Sequence, residues 1–511
     1  MTDVRTQYGQ VAGDTRNGVS CFKAIPFACA ARWSPPEPVA PWSGIHDGLR
    51  AGPACPQPAR RAGSLYDDPD PVESEDCLHL NIWAPEGVKD APVMVWIHGG
   101  SLVWGSNGQS LYDGEALARR GVVVVSINYR LGVLGYLAHP ELSDRSDRGV
   151  SGNYGLLDQI AALEWVRDTI SAFGGDPEQV TIAGESAGAL SVLYLMVSPL
   201  ARGLFQRAIA QSAYMLTHPA LKRSEQGVRS AEETGSRLQA ALGASSLKDL
   251  RAMPAKALVQ AASDQGYLPW GTIDGWALPD QLDSLFDRGE QAAVPVLAGY
   301  NEGEVRSLRF LLPERPESAA AYRDAIEQSH GPFSGAVLER YPEDNIEESQ
   351  LAIVRDALYG WTAERLVRSQ SALGQPAYLY YFDHGYEPAR TAGLHAFHAC
   401  EIPYVFNTLS QTAPAWPTPP ATSGEQALAD LMTGYWSDFV AGRAMQGEAA
   451  PLWPAFAAEP WSMRFADGAQ IDNELQPGMF DLHEALFHAR RKAGLGWSWN
   501  VGTASPVLAQ P

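Results

Sequence analysis

The sequence predicts an α/β protein built on a large, mostly parallel sheet flanked by helices. Near-continuous apolar runs stand at 92–97 (PVMVWI), 122–127 (VVVVSI) and 180–183 (VTIA). A run with no polar face has nothing to offer water, so it belongs in a strand covered on both sides, as in a parallel sheet. Between the second and third runs, Leu156, Leu157, Ile160, Leu163, Val166 and Ile170 recur at three- and four-residue spacings, the period of a helix that covers such a sheet. With 511 residues, 45% of them hydrophobic, the chain can fill a large core. Neither an internal repeat nor a clean linker interrupts it, so residues 1–511 read as a single domain.

In chain order, Asn17-Gly18 precedes the run 19–25 that ends at Pro26, a strong signal for an N-terminal antiparallel hairpin. Residues 49–74 repeat Gly, Pro, Asp and Arg without periodicity and read as a long surface loop. Further strands are expected at 295–299 and 377–382, and residues 412–423 form a Pro-rich loop.

Subtracting 59 acidic from 38 basic side chains leaves a net charge of -21, which repels phosphate backbones and anionic lipid headgroups, so neither nucleic acid nor a membrane is an expected partner. The start lacks the basic-then-apolar pattern of a secretory signal, and no stretch of about 18 apolar residues appears. Five scattered cysteines suit neither a disulfide scaffold nor, without a C-x-x-C pair, a zinc site. A cytoplasmic protein, or a mature chain already trimmed, is the expectation, as a monomer or weak dimer.

The chemistry is carried by Gly184-Glu185-Ser186-Ala187-Gly188, which directly follows the run at 180–183 and opens a helical stretch. Strand, tight turn and helix are the setting of a nucleophile elbow, in which glycines let backbones approach and Ser186 is held out at the edge of the sheet. A serine hydroxyl is a weak nucleophile and needs a base, a group that orients the base, and donors for the developing oxyanion. His98-Gly99-Gly100-Ser101, after the run at 92–97, can aim the amides of Gly100 and Ser101 at the site, and Ala187 supplies a third donor.

Phe173-Gly174-Gly175-Asp176-Pro177 leading into the elbow, Glu75-Asp76-Cys77-Leu78-His79-Leu80-Asn81, Asn128-Tyr129-Arg130, Gly155-Leu156-Leu157-Asp158-Gln159, Ile273-Asp274-Gly275 and Trp453-Pro454 are spread over nearly the whole chain. Together they resemble the type-B carboxylesterases, the α/β-hydrolase family that includes bacterial para-nitrobenzyl esterases and the cholinesterases. His79 departs from the aromatic residue or Thr usual there. The resemblance implies an α/β-hydrolase fold and a triad ordered Ser, acid, His. Gly299-Tyr300-Asn301-Glu302-Gly303-Glu304 matches the segment of the acid and points to Glu304; Glu302, its nearest competitor, reads as a solvated loop charge and Asp274 as structural. The base corresponds to His398, three residues before Glu401, with His395 a loop histidine lining the approach and His98 a support of the oxyanion turn.

Ser101 and Leu102 replace the small residue and the Phe usual in the family, which alters the pocket; Leu102, Trp104 and Trp270 are the candidate pocket residues. Arg32 with Glu75, and Arg130 with Asp158, match structural ion pairs. Cys55 and Cys77 correspond to a pair that secreted relatives oxidise and that stays reduced in a cytosol. Cys21, Cys29 and Cys400 read as buried apolar residues. No tryptophan lies between Cys55 and Cys77, which argues against choline esters. The implied function is hydrolysis of neutral, fairly apolar small-molecule carboxylic esters through an acyl-enzyme, without metal or cofactor. Carbamate or aryl-amide cleavage on the same triad is the alternative within the class, and a non-catalytic binding module the alternative outside it.

Overall fold

The computed structural model describes residues 2–60, 63–67, 71–446, 450–457 and 459–509. Among these, strands from Thr2–Arg5 to Ala469–Asn473 join a single thirteen-stranded sheet. Its centre is parallel: Val123–Ile127, Ala91–Ile97, Gly175–Glu185, Arg207–Gln211, Val296–Asn301, Ala377–Phe382 and Trp461–Phe465 lie side by side in that order. The flanks are antiparallel, with His79–Pro85 and the N-terminal strands on one side and Ala469–Asn473 on the other, apart from Ile45–Asp47, which pairs parallel with Gln10–Arg16.

The apolar runs explain why the core has two layers. Successive side chains of a strand point to opposite faces, so Val93, Val95, Ile97, Val123, Val125 and Ile127 join one buried cluster while Met94, Trp96, Val122 and Val124 join the other. The expected helix is Tyr154–Thr169, packed on the first face. The strand expected at 180–183 is longer, Gly175–Glu185, and its polar first half follows a register shift between Gly175 and Val180 against its neighbour.

The expected hairpin joins Gln10–Arg16 to Val19–Pro26, and both turn residues take left-handed φ, 51° at Asn17 and 76° at Gly18, the backbone a two-residue hairpin needs. The loop expected over 49–74 differs from a pure surface segment. Ala54, Cys55, Pro56 and Gln57 are buried and Ala54 bridges Glu73. Buried backbone requires partners, and Gln57 provides them: its amide donates to the carbonyls of Cys55 and Gly105 and accepts from the Gly105 N–H at 2.9 Å.

Candidate active site

Ser186 stands between the strand Gly175–Glu185 and the helix Ala187–Val197 with φ 57° and ψ -122°. That conformation is costly for a residue with a Cβ and persists only where its surroundings enforce it. They do: the Ser186 N–H donates to Gln211 O at 2.9 Å. A Cβ on Gly188 would sit 2.0 Å from the carbonyl oxygen of Ile97, and one on Gly184 would sit 2.5 Å from the Gly188 backbone. The two glycines therefore allow the crossing that turns Ser186 outward.

The next strands bring up Glu304 and His398. Val296–Asn301 ends at Asn301, and Glu304 follows in the turn, fully buried. Its Oε1 accepts from the Asn301 N–H at 2.8 Å, and its Oε2 lies 2.5 Å from His398 Nδ1. The two loops are tied together, since Gly303 N–H donates to Ala396 O at 2.7 Å and Asn301 Nδ2 donates to Phe397 O at 2.9 Å. With Nδ1 held by Glu304, His398 turns Nε2 toward Glu185 Oε1, 3.1 Å away. Ser186 Oγ and His398 share no hydrogen bond among the described residues; in resting enzymes such contacts are often long and tighten only with substrate bound.

Three carboxyl groups surround the imidazole. Burial disfavours the imidazolium, but the charges of Glu185, Glu304 and Glu401 outweigh it and raise the His398 pKa to about 9. Burial is also the main reason that Glu185 is pushed up to about 8, with the His398 charge opposing and Glu401 and Glu304 adding to the rise. Glu401 is raised by burial as well, although Asn301 and Gln211 donate to it at 2.6 and 2.9 Å.

The glycine-rich turn after Ala91–Ile97 lies against the elbow, where a Cβ on Gly99 would come within 3.3 Å of Ser186 Cβ. Gly100, Ser101 and Leu102 all have positive φ, 104°, 59° and 59°. The amides of Gly100, Ser101 and Ala187 donate to no other described residue, so they are available to a ligand. His98 is buried with Nδ1 2.9 Å from Gly99 O, and Tyr129 stacks on it and donates to its carbonyl at 2.8 Å. Burial drops its pKa to about 4, which fits a structural support.

The remaining expectations divide. Leu102 is buried and accepts from the Gly132 N–H; Ser101 is exposed. Trp104 is tied to the long loop through Pro58 O and the Arg60 guanidinium, and Trp270 packs edge-on against His218. Arg32–Glu75 at 2.5 Å and Arg130–Asp158 at 2.7 Å are paired, and Asp274 accepts from Trp276 N, Leu278 N and Asn153 Nδ2 in a structural turn. Glu302 is not a solvated loop charge: it lies 3.6 Å from Arg306 and 4.0 Å from Arg355, partly buried between them. His395 is half-exposed, 3.9 Å from Glu302. Cys55, Cys77 and Cys400 are buried thiols, whereas Cys29 is exposed and Cys21 only partly covered.

Several neighbours of the site escaped the sequence reading. Glu185 belongs to the motif but was not assigned a part; Tyr66 donates to His398 O at 3.0 Å and contacts Ser307 Oγ at 2.7 Å; Tyr359 places its ring 5.5 Å from the imidazole. Only Glu185 left a local signal, its place beside Ser186. Among the described residues, no group of three His, Cys, Asp or Glu could hold a metal ion, and no helix is long and apolar enough to cross a membrane.

An elbow serine at the carboxyl end of a parallel sheet, a buried acid–imidazole pair and unpaired amides beside them define a serine hydrolase of the α/β-hydrolase fold. The chain belongs to the carboxylesterase family, whose sequence model matches residues 1–480. It is 36% identical over 492 residues to the fumonisin B1 esterase of Sphingopyxis macrogoltabida, covering 91% of this chain and 86% of that protein. It is 37% identical over 424 residues to the para-nitrobenzyl esterase of Bacillus subtilis, covering 80% and 83%. A solved para-nitrobenzyl esterase structure superimposes with a TM-score of 0.81 at 33% identity, covering 94% of this chain and 99% of that one. A Geobacillus stearothermophilus carboxylesterase gives 0.79 at 31%, covering 97% and 100%. The protein is a carboxylic ester hydrolase acting on small-molecule esters.

Proposed function

We propose that Ser186, His398 and Glu304 form the catalytic triad of this esterase, and that it cleaves neutral, fairly apolar esters through an acyl-enzyme. The buried contact of 2.5 Å between Glu304 Oε2 and His398 Nδ1, on a loop facing the Ser186 elbow, carries the reading. His398 Nε2 takes the Ser186 proton as Oγ attacks the ester carbon; the amides of Gly100, Ser101 and Ala187 receive the negative oxygen. Collapse expels the alcohol, to which His398 returns the proton. Water, deprotonated by the same imidazole, then releases the acid and frees Ser186. Glu304 holds the imidazole in the tautomer with Nδ1 protonated and stabilises the imidazolium at each step. A site walled by aromatic rings, with a net charge of -21 on the chain, favours neutral substrates over anionic ones. The low cysteine count supports a cytoplasmic site of action, and we take the enzyme to be a monomer or weak dimer working as one domain.

The test is intact mass after incubation with a fluorophosphonate, followed by peptide mapping. One adduct on Ser186, and none in Ser186→Ala, is the expected result; an adduct elsewhere, or full ester turnover by a folded Ser186→Ala, would move the nucleophile.

A further inference from the structure

An aromatic shelf stands beside the imidazole, and no step of the proposed chemistry uses it. Tyr359 lies in a π-helix, Arg355–Gly360, a rare departure from α geometry that is frequent at functional sites. Its ring is 5.5 Å from that of His398. It meets Tyr214 edge-on at 6.0 Å and Trp499 at 6.1 Å, while Tyr214 and Trp499 are 4.9 Å apart. Tyr214 follows the strand Arg207–Gln211, whose last carbonyl takes the Ser186 amide. The three rings thus extend from the strand beside the elbow to the base. Tyr214 and Tyr359 are buried, and Trp499 is half-buried.

Trp499 belongs to a segment beyond residue 480, where the family match ends. That segment is fixed on both sides of it. Before it, Trp497 N–H donates to Thr217 Oγ1 at 2.9 Å, Thr217 N–H donates to Trp497 O at 2.8 Å, and the Trp497 indole donates to Ala357 O at 3.3 Å. After it, Val501 is buried and Gln350 Nε2 donates to Thr503 Oγ1 at 3.2 Å. A residue held between two such anchors has its ring placed by the fold.

We propose that Trp499 is a specificity-determining residue, completing with Tyr214 and Tyr359 a subsite that receives an aryl or similarly flat apolar group of the ester beside His398. The proposal rests on the hydrolase reading above and adds the substrate class to it. Ring faces and edges hold aromatic groups in offset or edge-on contact. The ring contacts of Trp499 are with Tyr214 and Tyr359, so its loss alters which ester is preferred and leaves the bond-breaking machinery in place.

The experiment compares kcat/KM for ethyl phenylacetate and benzyl acetate, each against ethyl acetate, in the wild type, Trp499→Phe, Trp499→Leu and Trp499→Ala. We expect the aryl preference to fall about tenfold in Trp499→Ala and Trp499→Leu, in at least one of the two series, and to survive in Trp499→Phe. Turnover of ethyl acetate should stay within about twofold, because the ring serves only the larger group. Aryl preferences unchanged in both series, or an equal fall for aryl and ethyl esters, would overturn the proposal. Failure of Ser186 to react with a fluorophosphonate in the wild type would overturn the hydrolase reading and this one with it; normal labelling with an unmoved preference would overturn this one alone.

Discussion

Replacing Glu185 by Gln removes one negative charge from beside the base without changing the size of the side chain. At 3.1 Å from His398 Nε2, a full unit charge in an effective dielectric of about 20 is worth about 5 kcal/mol, or about 4 pH units at about 1.4 kcal/mol per unit. Glu185 does not carry that full charge through the relevant range, because burial pushes it up to about 8 and it titrates together with His398. Scaling the ceiling by a carboxylate half ionised or less leaves about 1–2 pH units. The sign follows from the role of the base. Only neutral imidazole can accept the Ser186 proton, and the wild-type imidazole is held protonated up to about 9. The acid limb of kcat/KM therefore rises late in the wild type and moves down by about 1–2 pH units in Glu185→Gln. The assay is a pH-stat titration of ester hydrolysis from pH 5 to pH 10, with circular dichroism at each end. An unmoved limb, or one displaced to higher pH, would refute the placing of Glu185 against the base.

Glu304→Gln should lower kcat about 10³- to 10⁴-fold through loss of the imidazolium partner, and Glu302→Gln no more than about tenfold; the reverse order would reassign the acid. Asp158→Ala strands the buried Arg130 guanidinium and should cost about 3–5 kcal/mol, read as a lower urea midpoint; an unchanged midpoint would show that the pair is not structural. His98, His218 and His483 are lowered to about 4 and His330 to about 3, mainly by burial. Unfolded, each takes up a proton below about 6.5, so each removes about 1.4 kcal/mol of stability per pH unit as pH falls from there toward its folded value. His398 acts oppositely, its contribution being complete below about 6.5 and lost as pH rises through about 9. The fold should thus lose thermal stability steeply between about pH 6.5 and pH 4, and a flat melting temperature across that window would count against four buried neutral histidines.

What could be read from the chain and what could not have different physical origins. The elbow is local: Gly184 and Gly188 are demanded by backbone contacts within a few residues of Ser186, so the pentapeptide announces its own geometry. The alternating strands announce the two-layer core for the same reason. Glu304 and His398 were reached through resemblance, since nothing near either residue fixes the other across 94 positions. Tyr66 lies 332 residues from the histidine whose carbonyl it holds, and Gln211 lies 190 from Glu401; such proximities are products of the whole fold. Glu302 illustrates the limit. Its partner Arg306 is a helical turn away, but Arg355, which closes the other side, arrives from a distant helix, so the charge looked solvated when it is half enclosed.

The long loop has a bearing on any attempt to remodel this enzyme. Exchanging surface loops is an ordinary way to reshape the mouth of a pocket while leaving the reacting groups alone. Here the two are joined: the loop that bonds Gln57 to Gly105, four residues past the glycine-rich turn, also delivers Tyr66 to the backbone of His398. A graft that omitted those two side chains would free the backbone at Gly105 and at His398 together. Any remodelling of the loop therefore has to keep Gln57 and Tyr66 as its two moorings.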